Sequence, residues 1–196
     1  MEPRAVVGLG TGTTVAYLLP ALAERDLGLR CVATSPATEV AARSLGLAVE
    51  DFDSLEQLDV AIDGADQIAP DAWLTKGGGR AHTREKLVAA AATRFVVIAS
   101  GDKVVERLTA PVALELFRYG LAATLRRLGD ARVRPGPESP DAGVIADWWG
   151  AVTDPEELAR RLDAEPGVSG HGLFPPSLVS DIVVAAGGEI DHRRLR

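Results

Sequence analysis

Three short segments of the chain place carboxylates, an ammonium group and a run of glycines close together. They are Asp63-Gly64-Ala65-Asp66, Lys76-Gly77-Gly78-Gly79 and Thr83-Arg84-Glu85-Lys86. Carboxylates in such segments can exchange protons with a substrate, and an ammonium group beside flexible main chain can neutralise a developing oxyanion. Neither a packed core nor a solvated surface requires this combination. The three segments therefore predict acid–base chemistry.

The two aspartates of the first segment follow an apolar run and allow several interpretations. Residues 58–62 are predicted to form a strand, so Asp63 falls at its carboxyl end, where open α/β sheets bind their ligands. Asp63 and Asp66 can form an Asx-type turn with a cap, can bind sugar hydroxyls and exchange protons with them, or can bind magnesium. The pair alone does not decide between these roles.

The second and third segments favour catalysis over a flexible loop and an ordinary helix start. Three consecutive glycines cost backbone entropy, and they are expected where main chain approaches a ligand closely. Lys76, directly before them, can stabilise an oxyanion. Glu85 lies in the first turn of a helix predicted to begin near Thr83, where it can serve as a general base.

A turn rich in glycine and threonine, Gly8-Leu9-Gly10-Thr11-Gly12-Thr13-Thr14, lies between the first predicted strand and a helix. Backbone N–H groups at such a turn bind anions. The dinucleotide-binding motif requires glycine at the position of Thr13 and an acid near Thr34, and a P-loop requires Gly-Lys-Ser/Thr. The turn therefore suits a single phosphate, or it is only a capped connection between strand and helix.

The remaining candidates are isolated side chains. Lys103 follows the fourth predicted strand and is either a phosphate ligand or a solvated lysine. The chain has three histidines and one cysteine, none with a partner at metal-ligand spacing, so we predict no metal site. His82, which lies near Glu85 in the sequence, can lie at the rim of the site, but it is interpreted as a surface residue.

Alternating strands and helices must position these residues. The chain up to residue 108 shows strands at 5–10, 30–34, 58–62 and 95–99, with helices at 15–22, 38–45 and 83–92. This alternation with short connections favours a parallel sheet covered on both faces.

The pattern changes after residue 108. Strands at 112–116, 131–134, 144–149 and 169–174 alternate with helices at 117–128 and after Asp154, an order typical of a ferredoxin-like domain. Residues 181–186 are predicted to return to the first sheet. The sequence thus predicts a Rossmann-like parallel-sheet domain, residues 1–108 plus 181–196, and a smaller ferredoxin-like α/β domain, residues 109–180.

Composition argues against two classes of partner. The chain has 196 residues, a net charge of −7 and a sequence pI of about 5.0, without the basic cluster typical of nucleic-acid binding. No apolar run approaches the ~20 residues that span a bilayer, and no targeting signal is evident. We therefore expect no nucleic-acid or membrane partner and a soluble, cytoplasmic protein.

Taken in order, these motifs resemble those of type A ribose-5-phosphate isomerases. The matching pieces are Gly10-Thr11-Gly12-Thr13-Thr14, residues 63–66, 76–79 and 83–86, and Lys103. The resemblance covers nearly the whole chain. It implies an aldose–ketose isomerase that interconverts ribose 5-phosphate and ribulose 5-phosphate through an enediolate, without a metal or redox cofactor. It also implies a Rossmann-like domain with a smaller α/β domain, and a homodimer or homotetramer.

The resemblance also implies a role for each matching residue. Glu85 would carry a proton between C2 and C1, and Asp63 would assist ring opening and proton movement at the sugar oxygens. Lys76 and the amides of residues 77–79 would stabilise the enediolate oxygen. Asp66 would hold sugar hydroxyls. Residues 11–14, called the threonine turn below, would hold the phosphate together with Lys103. The residues expected to bind the substrate are Thr11, Gly12, Thr13, Thr14, Gly64, Ala65, Asp66, Gly77, Gly78, Gly79 and Lys103.

The chain departs from the family pattern in several places. Members usually carry a helix with a lysine before the first strand, whereas this sequence begins almost at the strand, so it is identified as an N-terminally shortened, divergent member. Arg80 stands where the family usually has a small residue, and Ala113 replaces a usual proline.

Two other functions remain open from the residues. A non-catalytic sugar-phosphate sensor agrees with the missing helix but gives Glu85 no role. An NAD-dependent oxidoreductase is disfavoured by Thr13 and by the lack of an acid that would bind the ribose.

Overall fold

The computed structural model describes residues 2–196, which form two compact units. The first comprises residues 2–65, 84–101 and 177–196, and the second comprises residues 66–83 and 102–176. These boundaries differ from the predicted ones because residues 66–83 and 102–108 belong to the second unit and residues 177–180 belong to the first. The reason is packing, since Ala69 and Leu108 lie in the apolar core of that unit.

The first unit is built on one seven-stranded sheet. Numbered along the chain, its strands are β1 (Val6–Leu9), β2 (Arg30–Ala33), β3 (Ala48–Val49), β4 (Leu58–Asp63), β7 (Ala92–Ser100), β13 (Asp181–Ala186) and β14 (Glu189–Arg194). Their order is β14-β13-β7-β4-β1-β2-β3, and every neighbouring pair is parallel except β13 with β14. The predicted Rossmann-like sheet is confirmed, and β4 lies at its centre. The edge strand β14 was not predicted.

Three helices lie between strands of this sheet along the chain. They are α1 (Thr13–Ala23), α2 (Pro36–Ser44) and α3 (His82–Ala91), whose first two residues belong to the second unit. Helix α2 begins two residues before its predicted start, because the Ser35 side chain accepts a hydrogen bond from the Thr38 amide and Pro36 takes the first helical position.

The second unit contains a four-stranded antiparallel sheet. Its strands are β8 (Val112–Leu116), β9 (Ala131–Val133), β10 (Val144–Trp148) and β11 (Val168–His171), in the order β11-β8-β10-β9. Helix α4 (Leu121–Leu128) follows β8, and α5 (Pro155–Asp163) follows β10. This order confirms the ferredoxin-like prediction. Helix α4 begins four residues later than predicted, after Gly120 in a left-handed conformation.

A further small sheet in the second unit corrects the prediction of one strand at 169–174. Residues Leu173–Phe174 form β12, which pairs with β6 (Leu74–Thr75), and β6 pairs with β5 (Gln67–Ile68). The chain changes sheets at Gly172, whose amide donates to the Ala113 carbonyl while its own carbonyl accepts from the Lys76 amide.

None of the helices in residues 2–196 combines the length and hydrophobicity needed to cross a membrane.

Candidate active site

In the first unit, the threonine turn leaves the start of α1 open. Gly12 is the residue before the helix, and no side chain caps the helix there. Gly12, Thr13 and Thr14 are exposed, and Thr11 is half-buried. The first amides of a helix have no partner within it, so this end can bind an anion. The phosphate role of this turn stays a prediction.

Asp63 ends the central strand β4 and lies against this turn. Its Oδ1 accepts hydrogen bonds from the Gly64 amide at 2.7 Å and from the Thr11 amide at 3.2 Å. Asp63 is 3% exposed. Main-chain donors thus hold a buried carboxylate at the carboxyl end of the sheet, as the strand prediction required.

Glu85 lies in the first turn of α3 and is 3% exposed. The register of the helix explains the burial, because Val88 and Ala89, three and four residues later, are also buried and lie on the same face. A side chain at Gly8 of β1 would overlap with Val88, so the glycine allows α3 to pack closely on the strand.

Lys76 follows β6 in the second unit and is 4% exposed. Its Nζ lies 5.5 Å from the centroid of the Phe174 ring, a cation–π distance. Its amide donates to the Gly172 carbonyl at 2.8 Å. Both neighbours belong to the chain around β12, which fixes the lysine at main chain and side chain.

The glycine run after Lys76 is held in an unusual conformation. Gly77 is buried with φ +121°, and a side chain there would overlap with Ala113 and lie 3.0 Å from Nδ1 of His82. Only glycine meets both requirements. The predicted close approach of main chain is therefore present, but at Gly77 it is an approach to the protein itself.

Asp66 contacts the glycine run. Its Oδ2 accepts a hydrogen bond from the Gly78 amide at 2.8 Å, and its own amide donates to the Thr75 carbonyl. The side chain of Asp66 is exposed, as are Gly78 and Gly79. The structure thus brings Asp66 together with the glycines.

Lys103 lies beside two carboxylates in the second unit. Its Nζ is 2.9 Å from Oδ2 of Asp102. The hydrogen bond and charge of Asp102, with a smaller contribution from Asp66, raise the pKa of Lys103. A lysine already paired with an acid attracts a phosphate less strongly than a solvated one.

Sequence reasoning missed two arginines in the second unit. The Nη1 of Arg134 donates to the Gly77 carbonyl at 2.8 Å, and the Nη1 of Arg80 donates to the Pro137 carbonyl at 2.7 Å. No local pattern marks Arg134, which lies 57 residues from its partner. Arg80 stood out only as a departure from the family pattern.

The interpretation of His82 as a surface residue is wrong, because its exposed fraction is 0%. It opens α3 beside Gly77, so packing rather than solvent surrounds the ring. Within residues 2–196, no group of three or more His, Cys, Asp or Glu side chains is arranged to hold a metal ion.

Comparison with known proteins places the chain in one family. The family model "Ribose 5-phosphate isomerase A (phosphoriboisomerase A)" matches residues 30–189. The ribose-5-phosphate isomerase A of Caulobacter sp. (strain K31) is 41% identical over 189 residues, which cover 89% of this chain and 84% of that protein.

Solved structures agree with this assignment. The ribose 5-phosphate isomerase A of Methanocaldococcus jannaschii superposes with a TM-score of 0.92 at 27% identity, covering 100% of this chain and 93% of that one. A D-ribose-5-phosphate isomerase in complex with phospho-erythronic acid gives 0.92 at 28% identity, with the same coverage. The chain belongs to the ribose 5-phosphate isomerase A family.

Proposed function

We propose that Glu85, Asp63 and Lys76 carry out the reaction for which the family is named, the interconversion of ribose 5-phosphate and ribulose 5-phosphate. The isomerase function follows from membership of the family. The assignment of steps to residues is our own.

One observation carries the assignment. Asp63, Lys76 and Glu85 are 3%, 4% and 3% exposed, although each is an ionisable side chain. Burying a charge is costly, and groups of this kind concentrate at functional sites. Stability alone gives no reason to bury all three in segments rich in glycine and polar residues.

The chemistry needs a base, an oxyanion stabiliser and a group for ring opening. Asp63 takes the proton of the anomeric hydroxyl and helps to protonate the ring oxygen. The Glu85 carboxylate then removes the proton from C2 of the open-chain aldose, and the electron pair forms the C1–C2 double bond of an enediolate. Negative charge develops on O1, where Lys76 stabilises it. Glu85 returns its proton to C1 as the O2 proton passes to O1, giving the ketose.

The threonine turn is the proposed phosphate anchor. Its support is the open N-terminus of α1, where Gly12, Thr13 and Thr14 are exposed and no side chain caps the helix. Lys103 is the second proposed phosphate ligand, and its ion pair with Asp102 makes its contribution the smaller one.

Asp66 and the glycine run are proposed to contact the sugar. Gly78, Gly79 and Asp66 are exposed, and the hydrogen bond from Gly78 leaves Oδ1 of Asp66 as an acceptor for a hydroxyl group. Gly64 and Ala65, which connect Asp63 to Asp66, are proposed to line the same part of the substrate.

The related structure with phospho-erythronic acid supports these roles. That ligand combines a phosphate with a carboxylate on a short polyol. A carboxylate spreads negative charge over two oxygens, as an enediolate does. A site for it therefore needs an anion anchor and an oxyanion stabiliser, which the threonine turn and Lys76 supply in this proposal.

The decisive experiment is Glu85→Gln, which removes the base and keeps the side-chain shape. We expect kcat for ribose 5-phosphate to fall about 10³-fold with little change in binding, because general base catalysis contributes on that scale. The C2 proton should also stop exchanging with deuterated solvent. Glu156→Gln is the matched control, since Glu156 is an exposed first-turn glutamate of α5.

Retained turnover in Glu85→Gln would contradict the assignment of the base. Binding of ribose 5-phosphate by the unaltered protein without conversion would instead favour a sensor, an alternative that no comparison supports.

We also propose that the protein is a homodimer or homotetramer in the cytoplasm. Large side chains on the second unit are exposed, including Phe117, Tyr119 and Trp149, and exposed apolar patches often mark interfaces. Native mass measurement tests the assembly, and a monomer at micromolar concentration would contradict it. Cell fractionation tests the location.

A further inference from the structure

We propose that Arg134 is a positioning residue that fixes the Gly77–Gly78 peptide and, through it, Lys76 and Asp66. The inference rests on the proposed function, in which Lys76 stabilises the enediolate. All of the residues concerned lie in the second unit.

The peptide between Gly77 and Gly78 is held at both ends. Its carbonyl accepts from Nη1 of Arg134 at 2.8 Å, and its N–H donates to Oδ2 of Asp66 at 2.8 Å. A peptide is planar, so these two bonds together set its orientation. Lys76 directly precedes Gly77 in the chain, and the Asp66 carboxylate is bound to the N–H of this peptide.

The guanidinium of Arg134 is itself oriented by Asp147. Its Nε donates to Oδ2 of Asp147 at 2.9 Å and its Nη2 donates to Oδ1, which forms a two-point fork. The side chains of Arg134 and Asp147 are 21% and 13% exposed. The fork uses two nitrogens and directs the third, Nη1, to Gly77. A lysine carries charge but cannot form this planar arrangement.

The connection between β9 and β10, which begins with Arg134, also holds the residue after the glycine run. Arg80 has φ +64°, a backbone conformation that residues other than glycine seldom adopt. Its guanidinium donates to the carbonyls of Pro135 and Pro137, in the loop between β9 and β10. Main chain that would otherwise relax is therefore tied at Gly77 and at Arg80.

The loop that receives Arg80 is anchored on β8. The Ser139 hydroxyl donates to Oε1 of the buried Glu115 at 2.6 Å and accepts from the amides of Asp141 and Gly143. The anchor is a side-chain network rather than a continuous strand pairing. A displacement of this loop is thus expected to displace the glycine run as well, through Arg80 and Arg134.

The test is Arg134→Lys, which keeps the charge and removes the fork. We expect kcat for ribose 5-phosphate to fall about 30-fold while KM changes less than about threefold, because misplacing a group that acts in the transition state lowers kcat. The loss should persist at 10 °C, where reduced stability does not unfold the variant. Arg132→Lys, at an exposed position of β9 two residues before Arg134, should change neither constant.

Asp147→Asn is the second variant, and it decides the matter if Arg134→Lys does not fold. It keeps the side-chain shape and weakens the fork, so we expect kcat to fall about tenfold with KM nearly constant. A rise in KM at constant kcat in either variant would overturn the proposal, since Arg134 would then act on substrate binding. Unchanged constants in both variants would also overturn it.

Parallel assays of the unaltered protein and Glu85→Gln separate this inference from the proposed function. If the unaltered protein does not convert ribose 5-phosphate, or Glu85→Gln remains active, the proposed function fails. If both behave as expected and the arginine variant keeps its kcat, only the positioning role fails.

Discussion

The two units hold their candidate residues by different means. In the first unit, Asp63 is held by the amides of Thr11 and Gly64, and Glu85 is placed by the register of α3. In the second unit, the glycine run depends on two side chains, those of Arg134, 57 residues from Gly77, and of Asp66, 12 residues from Gly78. The first arrangement follows from secondary structure, whereas the second follows from a network of polar side chains.

This difference predicts how the candidate residues of each unit respond to substitutions nearby. Main-chain donors persist when a neighbouring side chain is changed, so the bonds from the Thr11 and Gly64 amides to Asp63 should tolerate substitutions around them. A side-chain network loses a bond with each substitution, and its effects are coupled. The predictions below test this contrast, from the largest expected effect to the smallest.

Of the variants that test this contrast, the one that removes the Lys76 ammonium group should have the largest effect. We expect Lys76→Met to lower kcat about 300-fold, the scale seen when one oxyanion stabiliser is lost. Steady-state kinetics measures it, with Arg107→Met as a control that removes an exposed positive charge from the same unit. A loss confined to KM would show that Lys76 binds the substrate without stabilising the transition state.

A side chain in the glycine run should test how tightly the second unit is packed. Gly77→Ala introduces both a left-handed conformation for alanine and an overlap with Ala113. We expect the free energy of unfolding to fall by about 3 kcal/mol. Gly120→Ala, with φ +75° and open space around it, should cost only about 1 kcal/mol.

Urea denaturation measures both glycine variants. Equal losses would show that the backbone conformation alone, and no close packing, requires glycine at position 77.

One side-chain network in the first unit offers a further comparison, because it joins the neighbouring strands β7, β13 and β14. The carboxylate of Asp181 is fully buried, and it accepts two hydrogen bonds from Arg94 and contacts Nε2 of His192 at 2.8 Å. The hydrogen bonds from Arg94 outweigh burial and lower the pKa of Asp181 to about 2, with His192 contributing less.

The lowered pKa predicts a dependence of stability on pH. Folding favours the ionised carboxylate, so its contribution of about 2 kcal/mol is complete above pH ~4 and is lost as the pH falls towards 2. Asp181→Asn should therefore be less stable than the unaltered protein at pH 7, and the difference should shrink below pH 4. Denaturation at several pH values measures it, with the exposed Asp191→Asn as control. A difference that is independent of pH would contradict this account.

The smallest effect is expected at the threonine turn. Thr11→Val removes the 2.8 Å hydrogen bond to the Thr34 hydroxyl but keeps the main-chain bond to Asp63. We expect KM for ribose 5-phosphate to rise about fivefold at constant kcat, as for the loss of one hydrogen bond. Thr93→Val, which removes a hydroxyl bonded to Gln57 on the same unit, should leave KM unchanged. A large loss of kcat would show that the position of Asp63 depends on side chains around it and not on main-chain donors alone.

Much of the fold could be predicted because its signals are local. Strand β8 has the predicted bounds, and Asp154 caps α5 by accepting from the Glu157 amide, as its sequence of Asp, Pro and acids indicates. The three short strands β3, β5 and β6 escaped prediction because two residues carry no periodicity. Edge strand β14 is almost entirely exposed, so it lacks the alternation of a half-buried strand.

The candidate site also has a part that the sequence could predict and a part that it could not. Types and spacing were enough to single out Asp63, Lys76 and Glu85, because charged groups beside glycines at element ends are unusual for a core or a surface. The sequence by itself also determined the parallel sheet, the ferredoxin-like order of strands and the positions of the motifs along them, since hydrophobic periodicity and turn residues act over a few positions.

Only the tertiary structure decided which polar groups are buried and what holds them. The burial of His82, the change of sheets at Gly172 and the bond from Arg134 to Gly77 all depend on residues far apart in the chain. Such contacts form when whole elements pack, and each one depends on the geometry of several others. No local pattern carries that information, so a single sequence identifies the chemical groups but leaves their support undetermined.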